Sequence, residues 1–267
     1  MTEKENVATY ARIRPYNPAI NEDKNLTARC SEGNKILNMN GDNEDQYNFT
    51  KVFGMKDNTQ NLFDKAIKPL LDYKILEGIN SIFIVYGQSG SGKSFSLIGE
   101  EGHLGVFPMA LQYLLKQDKV KSINISSIEA YGVNASKIHF FDLVQQYNKR
   151  NNIKKKNDTF DVWTSSDHPR VTPKIAETLN ITKDNCLNII TELQNVSHMA
   201  PTLKNPHSSR GHTVYFACVK MEELEDVYFI NVDLAGSEGQ TALGTKNEFT
   251  EGLQLAMTKG KLTYVFL

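Results

Sequence analysis

The chain has 267 residues, of which 40% are hydrophobic and 23% charged. That is the composition of a globular protein with ample length for a core, and it excludes a disordered or fibrous chain. Thirty Lys and Arg stand against 31 Asp and Glu, a formal charge of −1, so no overall field draws the chain to nucleic acid or to an anionic membrane. Three cysteines, Cys30, Cys186 and Cys218, lack CxxC or His-paired spacing and read as reduced thiols rather than a disulfide framework or metal site. The polar start from Met1 to Asn6 carries no secretory signal, and the longest apolar runs are far too short to cross a bilayer. A soluble intracellular protein is expected.

In chain order, Val7 to Arg12 alternates apolar and polar residues and predicts a strand. Thr59 to Tyr73 reads as a helix, and Ile79 to Tyr86 as a short buried strand ending at glycine. A second helix is expected over Pro108 to Lys116, where proline suits the first turn. Ile123 to Tyr131 is rich in β-branched residues and predicts a strand, and Thr182 to Asn195 a third helix. Thr213 to Val219 and Val227 to Leu234 are strands joined by the charged turn Glu222 to Asp226, short enough for an antiparallel hairpin. Strands alternating with helices indicate an α/β sandwich around a mixed, mostly parallel sheet. No repeat or linker divides the chain.

Gly87-Gln88-Ser89-Gly90-Ser91-Gly92-Lys93-Ser94 meets the GxxxxGK[ST] pattern at every fixed position. The apolar run Ile82 to Tyr86 leads into it and a helix can start at Lys93. Glycines let successive backbone N–H groups point at phosphate oxygens where a side chain would block the approach, and the helix start adds positive potential. Lys93 can neutralise β/γ-phosphate charge, and the Ser94 hydroxyl can ligate Mg²⁺. This loop is a phosphate site.

Two later segments say more. Asn205-Pro206-His207-Ser208-Ser209-Arg210-Gly211-His212 puts two hydroxyls beside a guanidinium, just before a strand. Asp233-Leu234-Ala235-Gly236-Ser237-Glu238 puts a carboxylate at a strand end, then a glycine, then a second carboxylate. A strand-end aspartate that holds the Mg²⁺ shell is the Walker-B arrangement.

Together the three loops resemble the kinesin motor domain, whose phosphate loop is usually GQTGSGKT, switch I NxxSSRSH and switch II DLAGSE. Arg12-Ile13-Arg14-Pro15 is similar to the family's RxRP, and Phe49-Thr50-Lys51-Val52-Phe53 with Thr59-Gln60 to its FDxVF…TQ. Gly105-Val106-Phe107-Pro108 resembles GIIP, and Ala200-Pro201-Thr202 before Asn205 resembles AATxxN. A myosin would carry a different switch I, and no guanine-selecting NKxD occurs. The resemblance implies a P-loop NTPase three-layer sandwich and an ATPase whose nucleotide state governs microtubule binding, in the cytoplasm on the cytoskeleton. A non-motile module that keeps ATP or ADP as a structural ligand or switch is the alternative.

The same resemblance implies roles. Arg12, Arg14 and Pro15 frame the adenine, with Phe95 stacking, while Lys93 and the amides of Gly90 to Ser94 hold ATP or ADP. Ser94 touches Mg²⁺ directly, and Ser209 and Asp233 hold it through water. Ser208 and the Gly236 amide sense the γ-phosphate, and Arg210 with Glu238 closes the switches and orients the attacking water. Plainer accounts exist. Arg12 or Arg14 could sit in a surface ion pair, Phe95 could be simple core, and His212 could be a structural histidine rather than a switch element.

Departures concern mechanics. Gly211 replaces the family's switch I serine and loosens that loop. The family's EIYNE reads Glu129-Ala130-Tyr131-Gly132. Glu251-Gly252 followed by Leu255, Thr258, Leu262, Val265 and Phe266 resembles the switch II helix, although Gly260 weakens a helix by roughly 1 kcal/mol relative to alanine. The chain stops at Leu267, so the resemblance implies a motor domain over 1–267 that is incomplete at its C-terminal end. No neck linker and no heptads for a dimerising coiled coil are expected. The basic run at Lys149, Arg150, Lys154, Lys155 and Lys156 falls where the family's tubulin-facing loop lies. With the segment Glu251 to Leu267 it is the candidate filament contact, or else a solvated loop.

Overall fold

The computed structural model describes residues 7–14, 28–31, 35–40, 43–87, 90–100, 102–132, 138–153, 159–160, 176–197, 211–235 and 265–266. Among these residues the centre is a nine-stranded sheet. The strands are β1 (Ala8–Arg12), β2 (Lys51–Phe53), β3 (Ser81–Val85), β4 (Val120–Gly132), β5 (Ile138–Asp142), β6 (Leu179–Ile181), β7 (His212–Met221), β8 (Val227–Asp233) and β9 (Val265–Phe266). Their spatial order is β5-β4-β7-β8-β3-β9-β1-β2, with β6 also on β4.

The sheet is mixed, as expected. Pairings from β2 through β1, β9 and β3 to β8 are parallel, and those from β8 through β7 to β4, β5 and β6 are antiparallel. The antiparallel share is larger than a mostly parallel sheet would have, because β4 and β7 are long. The hairpin between β7 and β8 forms as expected, with Val219 opposite Val227 and Thr213 opposite Asp233.

Helices cover the sheet. Asn58 caps α1 (Thr59–Leu62) by accepting from the Asn61 N–H at 2.9 Å. This helix continues through a π turn (Phe63–Ile67) into α2 (Lys68–Tyr73), so the expected single helix carries one irregular turn. Short α3 (Lys93–Leu97) follows the phosphate loop. The next, α4 (Val106–Leu114), begins two residues before Pro108, which then lies within the first turn, where an N–H has no helical partner. The start of α6 (Cys186–Ser197) is four residues later than expected. There the side chains of Thr182 and Asn185 each accept the other's backbone N–H, at 3.3 and 2.7 Å, a turn that delays the helix. Within the main core, Phe107 of α4 packs on Tyr215 and Phe229, ring centroids 5.5 and 6.2 Å away.

Three features depart from the sequence reading. A helix α5 (Leu143–Arg150) occupies the start of the expected basic loop, capped by Asp142, which accepts the Gln145 N–H at 2.9 Å. A small antiparallel sheet of Ala28–Ser31, Lys35–Asn40 and Asn43–Asn48 precedes β2. Lastly, Val265 and Phe266, expected on the switch II helix, form strand β9, with Phe266 level with Thr9 of β1 and Ile84 of β3. A β-branched and an aromatic residue suit a strand, and here they fill a slot between two parallel strands whose backbone groups need partners. That correction also removes these two residues from the candidate filament face.

Candidate functional site

The parallel register of β8 on β3 sets the site, because Asp233 lies level with Val85 at the carboxyl ends of both strands. That is the crevice in which open α/β sheets bind ligands. From Val85 the chain turns through Tyr86 into Gly87, where a Cβ would meet the Ser91 Oγ at 2.7 Å. Gly92 sits at φ +93° at the start of α3, a backbone form that L side chains rarely adopt. Nearly buried Lys93 folds back and donates from Nζ to the Gly87 carbonyl at 2.9 Å. Ser94 Oγ donates to Asp233 Oδ2 at 2.5 Å. A hydroxyl beside a carboxylate offers hard oxygen ligands of the type Mg²⁺ takes.

A cleft of about 940 Å³ opens over this loop, lined by Arg12, Arg14, Met55, Asp57, Tyr86 and Phe95 among others. Its volume falls within the range of small-molecule sites. Arg12 donates to Ser96 Oγ at 2.8 Å and to Thr59 Oγ1 at 3.3 Å, and its guanidinium lies 5.6 Å from the centre of the Phe95 ring. Burial lowers its pKa and nearby Asp57 opposes the shift. Arg12 is therefore fixed between β1, α1 and α3, and it is not a surface ion pair. Half-buried Phe95 also faces His103, ring centroids 6.2 Å apart, so it is not simple core. Arg14 lines the cleft with Cδ near Gly92.

A polar row lies behind the loop, with Glu129, Thr213 and Asp233 level across β4, β7 and β8. His212 is buried, and its Nδ1 accepts the Ala235 N–H at 3.1 Å. Burial pulls its pKa down to about 4, which keeps the imidazole neutral and this nitrogen an acceptor. The end of the candidate switch I is thereby tied to the start of the candidate switch II, so His212 serves both structure and linkage. Burial pushes the Glu129 carboxyl up to about 7, opposed by a hydrogen bond from Ser197.

Of the sequence-predicted residues, the structure brings together Arg12, Arg14, Gly87, Gly90, Ser91, Gly92, Lys93, Ser94, Phe95 and Asp233. Pro15, Gln88, Ser89, Ser208, Ser209, Arg210, Gly236, Glu238, Lys154, Lys155 and Lys156 lie outside the described residues, as does Glu251 to Leu267 except for β9. Sequence reading gave no role to Ser96, Thr59 or Asp57, the groups that surround Arg12. The Asp-Asn-Thr capping signature was the available signal for two of them. Lys149 and Arg150 end α5, where Lys149 Nζ donates to Gln145 Oε1 at 3.0 Å and Arg150 pairs with Glu192 at 3.7 Å. They belong to a helix and its contact with α6, not to a loop.

A sequence model described as the kinesin motor domain matches residues 12–258. Human centromere-associated protein E is 27% identical over 91% of this chain, and kinesin-related protein 13 of Dictyostelium discoideum is 28% identical over 97%. The chain spans only 9% and 21% of the length of those two relatives. A solved structure described as a fast kinesin superposes with a TM-score of 0.68 at 19% identity, covering 94% of this chain and 71% of that one, a likeness of fold. Among the described residues no helix is long and apolar enough to cross a membrane. The fold, the three loops and the family match agree: the chain belongs to the kinesin motor domain family, a family of microtubule motors.

Proposed function

We propose that this chain binds Mg-ATP in the cleft above Gly87 to Ser94 and hydrolyses it, and that the nucleotide state sets its affinity for microtubules. The observation that carries this reading is the contact of Ser94 with Asp233 beside Lys93, at the ends of two parallel strands. Lys93 exchanges the Gly87 carbonyl for phosphate oxygens when nucleotide enters, and the amides of Gly90 to Ser94, with Gln88 and Ser89, follow the phosphate chain. Arg12, Arg14 and Pro15 border the base, with Phe95 beside them. Ser94, Ser209 and Asp233 would hold Mg²⁺, which would neutralise phosphate charge.

Ser208 and the Gly236 amide contact the γ-phosphate in this reading. Arg210 and Glu238 pair and align a water, whose oxygen attacks the γ-phosphorus as the bond to the ADP oxygen breaks. The water's proton leaves on inorganic phosphate. Little covalent chemistry is asked of the protein, so positioning supplies most of the rate.

For the filament, Lys154, Lys155 and Lys156 supply attraction to an acidic partner such as tubulin. Lys149 and Arg150 contribute less, being engaged with Gln145 of α5 and Glu192 of α6. The deciding experiment is steady-state ATP turnover with and without polymerised tubulin at two salt concentrations. Turnover raised by microtubules and reduced by salt is expected. ATP binding without turnover in either condition would overturn the hydrolytic reading in favour of a nucleotide-binding module. Salt-insensitive filament binding would remove the basic run as the contact.

A further inference from the structure

Glu129 meets both ends of the segment 198–210. On one side is Ser197, the last residue of α6, whose hydroxyl bonds the Glu129 carboxylate. On the other is Gly211, one residue before β7, where a Cβ would lie 2.8 Å from Glu129 Oε1, 3.0 Å from its Cγ and 3.3 Å from the Ala130 carbonyl. Real Cβ contacts essentially never fall below 3.0 Å, so any side chain at 211 would have to push the Glu129 carboxylate out of its present place. Glu129 Oε2 is buried and has no hydrogen-bond partner among the described residues. Leaving such an oxygen unsatisfied costs free energy that an apolar side chain of similar size would avoid, so the site needs an explanation other than stability.

We propose that Glu129 is a positioning residue that fixes both ends of the segment 198–210 to β4, and that glycine at 211 is required by this carboxylate rather than by loop flexibility. For its consequence in turnover the proposal rests on the reading of Ser208 as a γ-phosphate contact, Ser209 as a holder of Mg²⁺ through water and Arg210 as the partner of Glu238. The tie itself is independent of that reading. Register supports it, because Thr213 sits opposite Glu129 on one side and Asp233 on the other, so the tie stands in the row that reaches Ser94.

Amide hydrogen exchange on the full chain without nucleotide tests the tie, and ATP turnover tests its consequence. Glu129→Ala should speed exchange at both the Ser197 and His212 amides by about tenfold, with the amides of β8 unchanged. Gly211→Ala should do the same, reaching Ser197 only through Glu129, and the double variant should show no further loss. Glu129→Gln, which keeps the oxygen that accepts from Ser197, should restore both ends to near the parent rates. Glu129→Asp, which folds with a smaller void than alanine, should loosen both ends because its carboxylate is one methylene short. Turnover in Glu129→Ala should fall about tenfold in kcat with KM within about twofold, the mark of lost positioning rather than lost binding. Unchanged Ser197 exchange in Gly211→Ala, or losses that multiply in the double variant, would overturn the proposal. Failure of the parent chain to turn over ATP, with the exchange pattern intact, would overturn the hydrolytic reading and leave the tie standing.

Discussion

Ser94 and Asp233 are 139 positions apart in the chain and 2.5 Å apart in the fold. The parallel pairing of β8 with β3 causes this, since it ends both strands at the same level and the phosphate loop turns back over them. Neutralising Asp233 removes charge from the Mg²⁺ shell but leaves an acceptor for Ser94. Asp233→Asn should therefore reduce the gain in ADP affinity that Mg²⁺ confers by on the order of 10–100-fold, the range for outer-shell ligands. Affinity for ADP in chelator should change little. Calorimetric titration with Mg²⁺ and with chelator checks both, and an unreduced Mg²⁺ effect would take Asp233 out of the metal shell.

Lys93 is nearly buried and donates to the Gly87 carbonyl, a neutral group of the loop itself. A charged side chain held this way is ready for phosphate at little ordering cost. Charge-assisted hydrogen bonds contribute about 1.5–3 kcal/mol each, so Lys93→Ala should weaken ADP binding by roughly 10–100-fold. Fluorescent-nucleotide titration reads the effect, and unchanged affinity in a folded variant would dismiss the phosphate site.

Much of this is legible in the sequence. Phosphate-loop glycines, the strand leading into Gly87 and the strand-end Asp233 are local patterns with local causes, and the structure has them where the sequence puts them. The hairpin at Glu222 to Asp226 was legible for the same reason, since its length permits nothing else. What escaped notice depends on distant contacts. Ser96 and Thr59 are ordinary hydroxyls until β1 brings Arg12 between them. Gly211 reads as flexible until Glu129, on another strand, is found in its space. Helix α5 was hidden because its basic end resembles a solvated loop, and β9 because its residues also fit a helical spacing.

Arg210 and Glu238 are proposed to act as one closed pair, and groups that act as a unit lose rate non-additively. Arg210→Ala, Glu238→Ala and the double variant should be slowed to similar extents in single-turnover hydrolysis. ATP should bind each variant, because neither group belongs to the phosphate loop. If the two single losses multiply in the double variant, the residues act independently and the closed pair is wrong.

The His212 contact with Ala235 makes a prediction in pH. His212 is held near a pKa of about 4 against an ordinary 6.5. Between those values the unfolded chain binds a proton that the folded chain does not, so stability falls as pH drops, by up to about 1.4 kcal/mol per pH unit from this group. Glu129 works the other way. Its carboxyl is raised from 4.5 to about 7, so the folded chain holds the extra proton and stability falls as pH rises through that window. The parent Tm should thus be flatter between pH 5 and 6.5 than either group alone would make it. His212→Asn, whose amide oxygen can replace Nδ1 as acceptor, removes the first slope and should leave a Tm that declines from pH 5 to 7. Glu129→Gln removes the second and should leave a Tm that rises over the same range. Melting curves of the two variants and the parent at half-unit steps decide it. Parallel Tm profiles for all three would show that neither group carries its shift. Protonated His212 loses its acceptor and turns an N–H toward the Ala235 N–H, so acid should also loosen the Ala235 amide first. Protection of that amide, taken relative to its intrinsic exchange rate, should fall below about pH 5, before that of β8.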